Sequence, residues 1–302
     1  MSKFVFVILH YVNIEDTHEC IESIKKLSYD NWEIVLVDNC SPDGSGKKLE
    51  EEYKNEKEIH VILNDKNLGF AKGNNKGFIY AKNILKADFI CQINNDTLIE
   101  DKNFIEKIIN YYEKEKYYIA GPDVISLINH NHQNPAIKFQ TFKETIKLTI
   151  ENIIRLFGYC SGTIDKIDKI YKNRQKKKKE NQKINTCDKN IKKVSDYALN
   201  GACWIYSPDY INEFNGMYSK TYMYGEELIM FYICKQLELN YAYIENTYII
   251  HKEGSSTKKV FNSKEKGIFF FSHATKSSFL LLWIMIRKNN KKYLRKQLTS
   301  NI

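Results

Sequence analysis

The sequence predicts an α/β fold built on a mostly parallel sheet flanked by helices, and three observations carry that expectation. Four short apolar runs open the chain: Phe4 to Leu9, Ile34 to Val37, Ile59 to Leu63 and Phe89 to Ile93. Each is apolar at successive positions, as in a strand covered on both faces. Helix-spaced apolar stripes accompany them, with Thr17, Cys20, Ile21, Ile24 and Leu27 after the first run and Phe104, Ile105, Ile108, Ile109 and Tyr112 after the fourth. The third observation is how the runs end. Tyr11 and Asn13 follow the first, Asp38 and Asn39 the second, Asn64 and Asp65 the third, and Asn94, Asn95 and Asp96 the fourth. Open parallel sheets bind ligands at the carboxyl ends of their strands, so this polar edge points to a metal-bound phosphate or a polar nucleotide. For any single run, a simple polar turn explains the ending equally well.

A chain of 302 residues, 43% hydrophobic, is long enough for one large α/β domain or for a domain with an appendage. Seven cysteines at 20, 40, 91, 160, 187, 203 and 234 lack the paired spacing of a zinc site or a disulfide framework, and read as reduced intracellular thiols. The apolar start MSKFVFVILHYVN runs into polar residues without a cleavage-site pattern and reads as a buried first strand. The net charge of +9 is concentrated in two stretches, Lys166 to Lys193 and Arg287 to Lys296, so a local patch needs explaining, and no aromatic platform organises it for nucleic acid.

After Ser126 the pattern loosens. Phe142, Ile146, Ile150, Ile153, Ile154 and Phe157 mark an amphipathic helix, and the lysine-rich insertion that follows, about 160–193, is expected to be an exposed excursion. Order returns with a strand at Val194, Gly201, a strand through Tyr206 and Pro208 opening a short helix. A helix from about Glu226 to Leu237 and two short strands, Tyr241 to Ile244 and Tyr248 to Ile250, complete the domain, taken as 1–256. The tail, 257–302, is apolar and aromatic and then basic. It reads either as an interfacial helix with a cationic end or as a helix packed on the core.

Together the motifs carry a resemblance. VILHYVN, VDNCSPDGS, NLGFAKGNNKG, INNDT, GACWIYSPDYINEFNGM, YMYGEE and YIIHKEG occur in the order found in family 2 glycosyltransferases, and are especially similar to the bacterial rhamnosyltransferase-like members. The resemblance covers residues 4 to about 256 and implies a GT-A fold. It also implies that Asp38 contacts the base of a nucleotide, that Tyr11 lines the same pocket, and that Asn67, Gly69, Gly73 and Asn74 border the nucleotide. Physically, a carboxylate held at the end of a buried strand can accept the imide hydrogen of uracil or thymine, while a turn or cap is the competing role for Asp38. The glycines of NLGFAKGNNKG permit close backbone approach to a diphosphate, with amides that open a helix towards negative charge.

The resemblance further implies a divalent cation, Mn²⁺ or Mg²⁺, held by Asp96 of INNDT and by His251 of YIIH. A hard cation of this kind takes its remaining oxygens from the diphosphate and water, so one carboxylate suffices. Glu226 and Glu227 open a helix whose dipole favours their ionised forms, and Glu227 is the expected general base with Glu226 the second choice. Helix capping is the competing role for both. The chain departs from the family pattern in EELIMFYI, where Ile229 and Ile233 replace an Asp and an Arg.

The expected function is inverting transfer of a sugar from a nucleotide diphosphate donor, dTDP-rhamnose or a UDP-hexose, to a hydroxyl of a glycan or lipid-linked saccharide acceptor in bacterial surface polysaccharide synthesis. The expected setting is the cytoplasm, at the inner face of the cell membrane where the cationic tail meets anionic lipid. A sugar nucleotidyltransferase is disfavoured because HYVNIEDT stands where its glycine- and arginine-rich loop belongs. The alternative from another class is a catalytically silent glycan-binding or scaffold relative.

Overall fold

The computed structural model describes residues 1–135, 137–169, 196–253 and 263–300. Most of the lysine-rich insertion, the first residues of the strand expected from Val194 and the start of the tail lie outside the described residues.

The four apolar runs become β1 (Phe4–His10), β2 (Trp32–Asp38), β3 (Ile59–Leu63) and β4 (Phe89–Asn94). They pair in parallel in the order β3-β2-β1-β4. Between them run α1 (Ile14–Lys25), α2 (Ser45–Tyr53) and α3 (Gly69–Asn83). Alternate residues of β1 and β2 enter two cores. Val5, Val7, Val35 and Val37 pack with Ala71, Phe78 and Ala81 of α3 on one face. Phe4, Phe6, Ile8, Ile34 and Leu36 pack on the other with Cys20, Ile21 and Ile24 of α1 and with α4 (Phe104–Lys114). Burying a side chain such as Phe6 or Ile8 contributes about 1.5–3 kcal/mol, so the two-sided core is what holds the sheet edge rigid.

The sheet continues through β9 (Cys203–Tyr206), antiparallel to both β4 and β6 (Ile119–Ser126), and then β10 (Tyr241–His251), parallel to β6, with β5 (Thr97–Leu98) clipped antiparallel to its end. A small second sheet pairs β7 (Ile137–Lys138) with β8 (Tyr197–Ala198). The two-residue strands β5 and β7 were not expected, and two longer strands differ from expectation. β6 was hidden by Gly121 and Pro122 in its middle; its pairing with β9 ends at Ala120, so the missing amide of Pro122 costs no rung on that side. The two strands expected at 241–250 are one, with a register irregularity between Ile244 and Tyr248 that absorbs the polar Glu245–Thr247 interruption.

Further helices are α5 (Phe142–Ser161), α6 (Pro208–Glu213), α7 (Glu226–Leu237), α8 (Ser263–Ile286) and α9 (Lys291–Thr299), and residues 164–169 are also helical. The tail packs on the core, as the second of its two sequence readings expects. Leu281, Ile284, Met285, Leu294 and Leu298 are buried in the core that α7 shares, while Phe279, Trp283 and Ile286 of the same tail are exposed.

Candidate active site

Register brings the polar strand ends to one level. Leu63 of β3 lies opposite Asp38 of β2, Asp38 opposite His10 of β1, and Leu9 opposite Asn94 of β4. The strand order reverses direction between β1 and β4, so this edge is the switch point where a doubly wound sheet opens a crevice.

At its β2 side, Asp38 is 5% exposed, and both of its carboxylate oxygens accept from the Ser41 amide at 3.2 and 3.3 Å, with the Ser41 hydroxyl at 2.5 Å. The turn role weighed from sequence is therefore real; a carboxylate has about four lone-pair sites, which leaves capacity for a further donor. Next to it, Asn39 ties the loop together. Its Nδ2 donates to Asn67 at 3.0 Å and to the Gly69 carbonyl at 3.2 Å, and its Oδ1 accepts from the Leu68 amide at 2.9 Å. Asn67 in turn accepts from the Gly69 amide at 2.9 Å, and the Phe70 amide donates to the Tyr222 carbonyl at 2.8 Å. The Leu68, Gly69 and Phe70 amides at the start of α3 are thus satisfied within the protein by Asn39, Asn67 and Tyr222. Gly69 adopts φ +77°, and an added Cβ would overlap the Tyr222 backbone. Gly73 lets α3 lie on Leu9 and Asn39, and Asn74 is buried behind it with Nδ2 donating to Phe70. Tyr11 follows β1, half-buried.

The β5–β10 clip sets the second half. It pairs His251 with Thr97 and so carries His251 beside Asp96, with Nε2 3.5 Å from the carboxylate. Gln133 fixes the imidazole. Its Nε2 donates to Glu253 at 2.7 Å, so its Oε1 faces His251 Nδ1 at 3.1 Å and must accept from it. Nε2 is thus the nitrogen turned to the Asp96 carboxylate: as an imidazolium it would donate to that carboxylate, and as the free imidazole it would offer a lone pair beside it, so that Asp96 and His251 could hold a divalent cation with the ring oriented through its other nitrogen as metal-bound histidines are. Among the described residues no group of three or more His, Cys, Asp and Glu side chains gathers as a complete metal cage, so this pair could hold only part of a coordination shell.

A cavity of about 620 Å³ adjoins this pair. His251, Asn94, Gly201, Glu226 and Glu227 share its wall with Gln133 and Glu253. Asp96 reaches it through His251, whereas Tyr11, Asp38, Asn67, Gly69, Gly73 and Asn74 lie outside its lining, around the neighbouring strand ends. Glu226 is buried and its Oε1 has no hydrogen-bond partner. Burial, and then the charge of Glu227, push its carboxyl up to about 8. Glu227 is also raised, chiefly by burial, but the Gly201 backbone stabilises its charged form and it is partly exposed on the cavity wall. Both adjacent carboxyls are therefore raised, and Glu227 is the one whose charged form the Gly201 backbone favours. A Cβ at Gly201 would sit 2.8 Å from Glu227 Oε1 and push that carboxylate from its place.

Sequence reasoning missed Gln133 and Glu253. Gln133 comes from the loose stretch after β6 and carried no signal; Glu253 stood in YIIHKEG but two residues beyond the histidine.

The model of the family described as glycosyl transferase family 2 matches residues 5–207, more than half of the chain. The chain belongs to glycosyl transferase family 2. Among curated members, this family 2 chain is 26% identical over 143 residues to glycosyltransferase GlyG of Streptococcus pneumoniae serotype 4, covering 41% of this chain and 46% of GlyG. It is 38% identical over 63 residues to the putative teichuronic acid biosynthesis glycosyltransferase TuaG of Bacillus subtilis, covering 21% and 24%. The chain spans less than half the length of these relatives. Its fold is similar to that of S. aureus TarS 1–349 in complex with UDP-GlcNAc, with a TM-score of 0.52 at 14% identity, covering 98% of this chain and 73% of TarS. The family 2 chain therefore has the GT-A fold, with a C-terminal helical tail.

Proposed function

We propose that this family 2 chain is an inverting, metal-dependent transferase that moves a hexose or rhamnose from a nucleotide diphosphate donor to a hydroxyl of a glycan acceptor in bacterial surface polysaccharide synthesis. The observation that carries the reading is the single cavity in which Glu227 faces the same space as His251, with Asp96 behind it. The UDP-GlcNAc bound by TarS supports a nucleotide-sugar donor, and the putative place of TuaG in teichuronic acid biosynthesis supports a polysaccharide product.

In this reading Asp38 and Tyr11 hold the base, and the Asn39–Asn67 network keeps the loop before α3 in place around the nucleotide. Asp96 and His251 would hold Mn²⁺ or Mg²⁺, which offsets negative charge on the departing nucleotide. Glu227 takes the proton from the acceptor hydroxyl as that oxygen attacks the anomeric carbon, and the carbon–oxygen bond to the nucleotide breaks on the opposite face, inverting the centre. Glu226, neutral, adds no second charge beside the base. Gly201 and the Gln133–Glu253 pair keep base and imidazole from turning.

One observation favours the silent glycan-binding alternative. Ile229 and Ile233 stand where the family pattern has an Asp and an Arg, and both are buried in the core. A panel of UDP-, dTDP- and GDP-sugars, assayed for released nucleotide with Mn²⁺ and with EDTA, separates the two. Metal-stimulated release from one donor is the expected result; nucleotide binding without release from any donor would favour the silent relative.

A further inference from the structure

α5 is amphipathic in the wrong direction for a helix of a soluble core. Thr145 and Thr149, at 0% and 3% exposure, face inwards together with Asn152, whereas Ile150 and Phe157 are 52% and 69% exposed. Phe142, Ile146, Ile153 and Ile154 join them on the outside. At 3.6 residues per turn these six positions fall within roughly 120° of the helix circumference and run for about 22 Å. The stripe that marked the helix in the sequence is therefore its outer face.

The inner face packs on α8, antiparallel. Thr145 meets Met285 near one end, and Tyr159 stacks on Phe271 near the other, with Gly267 too close to the Tyr159 ring for any side chain. The buried residues of α8 include Gly267, Thr275, Ser277 and Ser278, again small or hydroxylated. Small residues between helices with large apolar residues turned outwards is the arrangement of helices whose surroundings are lipid. α8 is long and apolar enough to cross a bilayer by length and composition. Its Leu281, Ile284 and Met285 are committed to the core, however, so the pair can lie on a membrane and cannot cross one.

We propose that the outer face of the α5–α8 pair docks on an anionic lipid bilayer. Charge complementarity selects that occupant. Lys143 and Lys147 are exposed on α5 next to the apolar stripe. At the α8 end, exposed Trp283 lies 3.2 Å under the Arg287 guanidinium, and exposed Lys288, Lys291, Lys292 and Lys296 follow. Apolar stripe, interfacial tryptophan and cationic rim are the three components of peripheral binding to acidic lipid. Of the sequence that follows α5, Ile164 and Ile167 pack on Gly158 beside the stripe and leave its six residues exposed, and the lysine-rich tract beyond has the same charge sign as the rim. The opposite side of the pair walls the cavity through Leu148, Asn152, Ala274, Ser277 and Leu281. Docking would therefore hold the cavity beside the lipid surface, the position suited to a lipid-linked acceptor; that last consequence rests on the transfer reading, while the docking does not.

The test is co-flotation of full-length protein with vesicles of phosphatidylcholine alone or with phosphatidylglycerol. Wild type is expected to float with the acidic vesicles, less so at high salt, and the double variant Ile150→Glu/Phe157→Glu to bind at least about tenfold more weakly, since it replaces apolar surface with charge. Both positions are exposed, so the variant should keep its melting temperature, and Ile150→Leu/Phe157→Leu should bind like wild type. Equal flotation of wild type and the Glu variant overturns the proposal. So does the absence of wild-type flotation, including the case in which wild type is a dimer that the Glu variant dissociates, which would assign the face to a second copy of the chain. Nucleotide release by the unbound Glu variant, measured alongside, keeps loss of docking distinct from loss of transfer.

Discussion

Gln133 determines which nitrogen of His251 faces Asp96, because its amide must donate to Glu253 and can then only accept from Nδ1. Outer partners of metal-bound histidines typically contribute 10–100-fold to metal affinity, so Gln133→Leu is expected to raise the Mn²⁺ concentration needed for half-maximal activity by about that factor. An unchanged Mn²⁺ titration would detach Gln133 from the site. The glutamate pair gives a second prediction. Glu226 is raised from 4.5 to about 8 in the folded chain, so the folded state binds more protons than the unfolded one between those values and loses stability as pH rises through them. Glu226→Gln should flatten the melting temperature across that window and leave the variant the more stable protein at its alkaline end; parallel wild-type and variant curves would contradict the assignment. Glu227, also raised, should put the acid limb of kcat/KM above the ordinary value of 4.5. Residues at strand ends were legible because a polar side chain after an apolar run has few other places to be. Gln133 was not, since its role depends on two hydrogen bonds that chain order does not reveal.

The element that most constrains the site is the start of α3. Gly69 needs a left-handed backbone and leaves no space before Tyr222, so Gly69→Ala should destabilise the fold by about 1–2 kcal/mol from backbone strain alone, and more if Tyr222 is displaced. A thermal or urea melt indistinguishable from wild type would refute this. α9 offers a companion test away from the chemistry: Leu294 is fully buried, and Leu294→Ala should cost about 2–5 kcal/mol although it lies in the tail. Continuous apolar runs such as β1 and β2, and the helix-spaced stripes of α1 and α4, could be read from the sequence directly. β6 could not, because Gly121 and Pro122 signal a break that only the early end of β9 excuses. The amphipathic period of α5 was visible, but period alone does not say which face is inside.

For the whole molecule, the parallel half-sheet brings Asp38, Tyr11 and Asn94 to one edge, and the β5–β10 clip and α7 add His251 and the two glutamates. Family and fold were readable because seven motifs in order constrain topology; donor and acceptor were not, because no run of residues writes the shape of a cavity. If Asp96 and His251 hold the cation, Asp96→Ala should abolish Mn²⁺-stimulated turnover while the fold persists, and full activity of that variant would exclude the arrangement. The most direct measurement is transfer by Glu227→Gln beside wild type, with one active donor, product followed by mass spectrometry and nucleotide affinity by calorimetry. If Glu227 is the base, nucleotide affinity stays at the wild-type value and transfer falls by about 100-fold or more, with Glu226→Gln milder. Wild-type transfer rates in Glu227→Gln would contradict the account.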